Sequence, residues 1–570
     1  MHSGIFRTRQ VYVFLFFLLS LTLLLVRLFY LQAIKYDFYR KIANQEHTFS
    51  EQLQPKRGTI YDRNMRVLAV NLNRESVYAN PRVIKDKAYT AGALSSVLGI
   101  DHAVLNEKLS KDKGFVWIKR KITTKEALQL KKYDLTGVYF VEESKRFYPN
   151  LQLACHLIGS VDIDNKGLEG LESLYNKYLE GTGGLLVSLQ DAKRNQLMSY
   201  QKEFLPPKNG YNLVLTIDDV IQNIAERELY KMYNKYHAKG ASIIVMDPKN
   251  GDILALANYP AFDLNNVSKR PIEAIRNRAI NDFFEPGSIF KIVTASAAIE
   301  ENAVKLTDKF DCENGAWAVG KRVLHDHRPH GILTFKEVIE LSSNIGTVKV
   351  ASVFGPEKMF KYMRLFGFYE KTGVDLPGEV VGMNRPLSAW TSSSMYAIPM
   401  GQEVTSTVIQ LARAISVIAD NGFLVKPRIV KQIVDDGGDV IKEFPPQVTR
   451  KVISPKTAAT MRSILMGVVE EGTGKKAQME EFSAGGKTGT AQKVDPGGTY
   501  SHDRFVASFI GFAPVSKPVL AIAVCVDEPR PVYFGGDVAA PVFRNVADEA
   551  LKHLNIKDAY IPDRQKAKGH

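Results

Sequence analysis

Ala241-Ser242-Ile243-Ile244-Val245-Met246, then Asp247-Pro248-Lys249-Asn250-Gly251, then Asp252-Ile253-Leu254-Ala255-Leu256-Ala257, is the stretch that decides the fold class. Two apolar runs of strand length flank a turn built from Asp, Pro, Asn and Gly, so the segment predicts a β-hairpin. Upstream, Asn212-Leu213-Val214-Leu215-Thr216 predicts another strand, and Ile221 to about Tyr236 a helix. Towards the other end, Phe505 to Phe512 and Val519 to Val526 predict two more core strands, and Pro541 to Leu554 a closing amphipathic helix. Strands at both ends of a long helical middle predict an α+β domain whose antiparallel sheet is completed by both termini.

Leu205-Pro206-Pro207-Lys208-Asn209-Gly210 punctuates the chain before this domain and predicts a boundary there. The expected organisation is a cytoplasmic N-terminus over 1–10, a membrane-spanning segment over 11–31, an N-terminal domain over 32–205, the α+β domain over 206–560 and a charged tail over 561–570. Val11 to Leu31 is apolar apart from Arg27 and has about the length that spans a bilayer. Arg27 near its far end can snorkel, and Tyr30 suits the interface. Arg7 and Arg9 before the run place the N-terminus inside the cell. No small-x-small cleavage pattern follows, which favours a retained signal anchor over a cleaved signal peptide. Residues 32 to about 55 read as a juxtamembrane helix or linker.

The 570 residues allow three or four domains. With 45% hydrophobic and 24% charged residues, wholesale disorder and collagen-like composition are excluded. The net charge of +14 favours anionic partners, but it is diffuse, and an external position makes a nucleic-acid role a poor fit. Three cysteines, Cys155, Cys312 and Cys525, exclude a disulfide-stapled scaffold. Cys525 lies in an apolar strand and reads as core. Cys155-His156 are adjacent in sequence and read as packing.

Three short motifs carry chemistry. Glu285-Pro286-Gly287-Ser288-Ile289-Phe290-Lys291 ends a loop and opens an apolar helix, with Ser288 at the helix N-terminus. Lys291, one turn on, shares its face, so its amine can reach the hydroxyl, and a buried lysine has a lowered pKa and can act as base. Taken alone, a capping serine beside a surface lysine explains the pattern as well. Leu341-Ser342-Ser343-Asn344 offers Ser342 as a proton relay and Asn344 as an amide that can hold a peptide bond, and alone it reads equally as a helix-capping cluster. Gly485-Gly486-Lys487-Thr488-Gly489-Thr490 is the rarest of the three. On an edge strand, outward Lys487 and Thr488 would bind a carboxylate, and Gly489 would admit a ligand close to the backbone. The Thr490 and Ser288 amides would then form an oxyanion hole. A phosphate-binding loop is excluded because Glu481 stands where that pattern needs glycine.

In this order, Ser-x-x-Lys, Ser-x-Asn and Lys-Thr-Gly resemble the penicillin-binding proteins and serine β-lactamases, with Ser-Ser-Asn in place of Ser-Asp-Asn. The likeness covers nearly the whole chain. Arg57-Gly58-Thr59-Ile60-Tyr61-Asp62-Arg63-Asn64, Arg146-Phe147-Tyr148-Pro149, Gly167 to Glu172 and Tyr175-Asn176 resemble the non-catalytic pedestal of the class B, monofunctional branch. Gly401-Gln402-Glu403-Val404-Thr405-Ser406 with Val408-Ile409-Gln410-Leu411-Ala412 looks more like the division type than the elongation type. The resemblance implies an α+β transpeptidase domain over an elongated dimerisation (pedestal) domain and one transmembrane helix.

It also implies D,D-transpeptidation of peptidoglycan stem peptides: Ser288 as nucleophile, Lys291 as base, Ser342 and Lys487 in proton transfer, and Asn344, Thr488, Gly489 and Thr490 on substrate. β-Lactams would trap Ser288, and no metal or organic cofactor is implied. The expected place is the bacterial cytoplasmic membrane, at the septum, with the catalytic domain outside. The expected partners are a membrane glycosyltransferase of the shape-elongation-division-sporulation type and other division proteins. The competing functions are an elongation-type transpeptidase, a D,D-carboxypeptidase or β-lactamase-like hydrolase, and a non-catalytic scaffold or β-lactam sensor. His325-Asp326-His327-Arg328-Pro329-His330 has zinc-ligand residue types, but it reads as a polar loop near the cleft.

Overall fold

The computed structural model describes residues 3–190, 196–319, 322–495 and 497–558. The expected tail, 561–570, lies outside them. Two compact units divide the chain: residues 1–56 with 181–209, and residues 57–180 with 210–570.

In the first unit, helix Ser3–Phe29 runs on through a π-turn, Tyr30–Ile34, and a further helix covers Tyr36–His47. Arg7–Ile34 is long and apolar enough to cross a membrane. The expected linker before residue 55 is the Tyr36–His47 helix followed by a strand, Thr48–Leu53. Thr48–Leu53 pairs antiparallel with Gly184–Gln190, which pairs with Gln196–Leu205. The partner strand lies far along the chain, so no local pattern announces it.

In the second unit, the 241–257 hairpin forms one side of a five-stranded antiparallel sheet. Its strands are β1 Gly240–Met246, β2 Ile253–Tyr259, β3 Gly485–Val494, β4 Tyr500–Ala513 and β5 Leu520–Asp527, in the order β2-β1-β5-β4-β3. Ile243 and Val245 face one hydrophobic cluster while Ile244 and Met246 face another. Both faces of the sheet are buried, and this is why the strands read as continuous apolar runs rather than alternating ones. Helix α1 Asp219–Lys235 and the closing helix Ala540–His553 cover the first face. The other face packs on α2 Lys291–Glu300 and α3 Val408–Ala419, and every residue of α3 is buried.

A second sheet joins segments from both sides of the expected 205/206 boundary. Ile60–Tyr61 runs parallel to Asn212–Leu215, which pairs with Val430–Val434, while Val67–Ala79 carries Val116–Lys119 and Val138–Phe147. The pedestal motifs quoted from separate segments meet beside it. Arg57 Nε and Arg146 Nε donate to the two oxygens of Glu172 at 2.7 and 2.6 Å, and Arg57 Nη1 donates to Asn176 Oδ1 at 2.8 Å. Glu172 is completely buried and both arginines are 4% exposed. Removing one partner from such a cluster leaves a buried charge uncompensated.

Candidate active site

The three motifs converge. Ser288 lies in the 3-10 turn Gly287–Phe290 that feeds directly into α2, and it is half-buried. Ser342 links helix Phe335–Glu340 to helix Asn344–Leu365. Its backbone is left-handed at φ 62°, a conformation that non-glycine residues adopt only where their surroundings hold it. Lys487 stands on edge strand β3.

Both lysines are fully buried. Lys291 Nζ donates to Ser342 O at 2.7 Å, to Asn344 Oδ1 at 2.8 Å and to Ser342 Oγ at 3.2 Å. Lys487 Nζ donates to the same Ser342 Oγ at 2.9 Å. One hydroxyl therefore lies between two amines and can donate its proton to whichever is neutral. Sequence spacing predicts a Lys291–Ser288 contact. Among the described residues, however, the Lys291 amine is spent on Ser342 and Asn344 instead. Lys487 was expected to point outward; it points inward, onto Ser342.

Burial lowers the pKa of both amines. Lys291 is pulled down to about 7, against an upward pull from the charge of Asp326. Lys487 is pushed well below the usual lysine range, first by burial and then by the nearby Lys291 charge. Lys487 has one hydroxyl for a partner, whereas Lys291 has two further oxygens. Both amines are thus shifted towards their neutral forms.

Asp326, inside the histidine-rich stretch, is a residue whose role sequence reading missed. Its carboxylate accepts the Ser343 hydroxyl at 2.6 Å and the Ile345 amide at 3.0 Å, together with the Asn344 amide. The His325 carbonyl accepts from Asn344 Nδ2 at 2.9 Å. The stretch thus fixes the N-terminus of the Asn344–Leu365 helix, where a negative charge is favourable. Ser343 supplies the cap, accepting from Gly346 N at 2.9 Å. The capping reading therefore holds for Ser343, while its neighbours Ser342 and Asn344 face Lys291.

Thr488 Oγ1 lies 2.7 Å from Thr473 Oγ1, and Thr490 Oγ1 accepts from Gly535 N at 3.0 Å. Gly489 has close neighbours within the protein itself. A Cβ there would lie 2.5 Å from Ser508 Oγ, 2.8 Å from Ile289 Cγ1 and 2.9 Å from Pro286 O. Ser508 lies on β4, whereas Ile289 and Pro286 flank Ser288.

On the other side of that turn, Phe284 and Ser406 exchange backbone hydrogen bonds of 3.0 and 2.9 Å, and Gly287 N donates to Gly401 O at 3.1 Å. Gly401 has φ 86°, and a Cβ on it would fall 2.0 Å from Gly287 O. The 401–406 motif therefore braces the Ser288 turn. Of the cysteines, Cys312 is buried 3.3 Å from Ser343 Oγ, Cys525 is buried in β5, and Cys155 is buried beside His156, whose Nε2 lies 2.8 Å from Ala274 O.

Known proteins are similar to this chain along almost its whole length. The family model "Penicillin binding protein transpeptidase domain" matches residues 241–548, and "Penicillin-binding Protein dimerisation domain" matches residues 52–215. Stage V sporulation protein D of Bacillus subtilis is 37% identical over 559 residues, covering 97% of this chain and 86% of that protein. Peptidoglycan D,D-transpeptidase FtsI of Escherichia coli is 30% identical over 548 residues, covering 95% and 91%. The crystal structure of penicillin binding protein 3 from Mycobacterium tuberculosis, complexed with aztreonam, superposes with a TM-score of 0.70 at 28% identity, covering 90% of this chain and 99% of that one.

Proposed function

This chain belongs to the class B penicillin-binding proteins, peptidoglycan D,D-transpeptidases of cell-wall synthesis, and from that premise we propose that Ser288 is its nucleophile and the division septum its place of work. The observation that carries the site assignment is the Ser342 hydroxyl held between two buried amines beside the Ser288 turn.

The reaction follows from these groups. The Ser288 oxygen attacks the carbonyl of the penultimate D-Ala of a stem peptide, and its proton passes to a neutral amine of the Lys291/Lys487 pair. An amine with a pKa near 7 accepts and returns a proton at neutral pH with little bias either way. The Ser288 and Thr490 backbone amides stabilise the oxyanion, and Asn344 holds the neighbouring peptide bond. Collapse breaks the bond to the terminal D-Ala, whose nitrogen receives the proton through Ser342. The amine of a second stem peptide then attacks the acyl-enzyme, and Ser288 regains a proton from that amine. Lys487, Thr488 and Thr490 bind the substrate carboxylate. For this, Thr488 exchanges its Thr473 partner and Thr490 its Gly535 partner for the ligand.

The N-terminal helix anchors the chain in the membrane with the catalytic domain outside, beside a shape-elongation-division-sporulation glycosyltransferase and other division proteins. The likeness to FtsI and the 401–406 motif support the septal reading over lateral-wall work.

Two experiments test this. Fluorescent penicillin should label the full-length protein in membranes and leave Ser288→Ala unlabelled; labelling of that variant would remove Ser288 from its role. A fluorescent fusion at native expression should collect at midcell, and a uniform sidewall pattern would replace the septal reading with the elongation one.

A further inference from the structure

Glu285 precedes the catalytic turn and touches none of the groups assigned to the reaction. Its carboxylate joins three segments distant in sequence. Oε1 accepts from the Glu403 amide at 2.8 Å. Tyr500, at the turn end of the β3–β4 hairpin, donates to Oε1 and Oε2 at 3.2 and 3.1 Å. Burial holds the Glu285 pKa above the usual carboxylate range, while the Glu403 amide and the Tyr500 hydroxyl pull it back down. The amide it accepts belongs to a residue under backbone constraint, since Glu403 is left-handed at φ 59°. The Glu403 side chain is held in turn by Arg385 and by Ser394 Oγ, the latter at 3.1 Å. Without an acceptor at Glu285, that constrained loop loses the bond that fixes its peptide plane.

The consequence reaches Ser288 through one peptide. Gly287 N donates to Gly401 O at 3.1 Å, two residues from Glu403, and the peptide that follows Gly287 carries the Ser288 amide. We propose that Glu285 is a positioning residue for acylation: it locks the 401–406 loop and the β3–β4 hairpin onto the nucleophile turn and so aims the Ser288 amide. The role depends on reach and acceptor geometry, not on charge. Glutamine keeps an acceptor oxygen at the same distance, whereas aspartate is one methylene short. The proposal rests on Ser288 being the nucleophile, and Ser288→Ala in the same series separates a failure of that reading from a failure of this one.

The test is stopped-flow acylation of the full-length protein in detergent micelles by a fluorescent penicillin. It resolves the pre-acylation dissociation constant from the acylation rate constant. Glu285→Ala and Glu285→Asp should lower the rate constant by about 10- to 100-fold, the scale of a misaimed oxyanion donor, with the dissociation constant changed by less than about threefold. Glu285→Gln should stay within about threefold of wild type in both. Tyr500→Phe, which deletes one hydroxyl and no packing atoms, should lower the rate constant a few-fold. A wild-type rate for Glu285→Ala, a loss confined to the dissociation constant, or a Gln variant as slow as Ala overturns the proposal. If Glu285→Ala does not fold, Tyr500→Phe decides, and a wild-type rate constant there overturns it.

Discussion

Gly489→Ala perturbs the contact on which the site's geometry depends. The added methyl would meet Ser508 Oγ at 2.5 Å, Ile289 Cγ1 at 2.8 Å and Pro286 O at 2.9 Å. Carbon contacts settle at about 3.5–4.0 Å, so each neighbour must yield by roughly 0.6–1.5 Å. Ser508 can rotate away and the end of Ile289 can bend. Pro286 O is backbone in the turn that carries Ser288, and its neighbour Gly287 is held from behind by Gly401. The strand and the turn must therefore part. Overpacking of this kind costs about 1–3 kcal/mol of stability, and a displacement near 1 Å at the reacting atoms costs on the order of 100-fold in rate. The assay is penicillin acylation kinetics beside a thermal melt. The expected outcome is a folded protein, melting a few degrees lower, with an acylation rate constant reduced about 10- to 100-fold. Acylation within about twofold of wild type would refute the argument that β3 and the nucleophile turn are held at a fixed separation.

Other outcomes follow from the same structure. Ser342→Ala removes the hydroxyl between the two amines and should slow acylation by about 10²–10⁴, the scale of a lost proton-transfer group, with the melting temperature little changed. Acylation should rise with pH as Lys291, pulled down to about 7, loses its proton, because only the free amine can accept from Ser288. Asp326→Asn removes the charge that pulls Lys291 upward, so a pH–rate profile should show that limb displaced to lower pH; a shift to higher pH would contradict the electrostatic account. Glu172→Ala leaves Arg57 and Arg146 buried without their carboxylate and should cost about 3–5 kcal/mol, read by denaturant unfolding of the full chain.

The residues of the candidate site are legible in the sequence because their signals are local. Ser288 and Lys291 sit one helical turn apart, the Gly485–Thr490 stretch has the rare Lys-Thr-Gly pattern, and the β1–β2 hairpin states its own turn. What pairs across distance was not legible. The Thr48–Leu53 strand depends on Gly184–Gln190, and nothing in its own residues marks the partner. Asp326 reads only as part of a polar loop near the cleft, because its partners at the helix N-terminus that begins at Asn344 lie farther along the chain. Gly489 announced a close approach, read as that of a ligand, but not the intramolecular neighbours Ser508 Oγ, Ile289 Cγ1 and Pro286 O. Lys487 looked outward-facing because an edge strand ordinarily offers alternate side chains to solvent. The Ser342 and Asn344 segments, separated from it in sequence, cover that side and turn the amine inward.

The most direct test of the central claim is peptide mapping by mass spectrometry of the full-length protein after reaction with penicillin. The account predicts one adduct per chain, persisting through the digest, on the peptide that contains Ser288 and absent from Ser288→Ala. An adduct on any other residue, or a folded wild-type protein that acquires none, would contradict it.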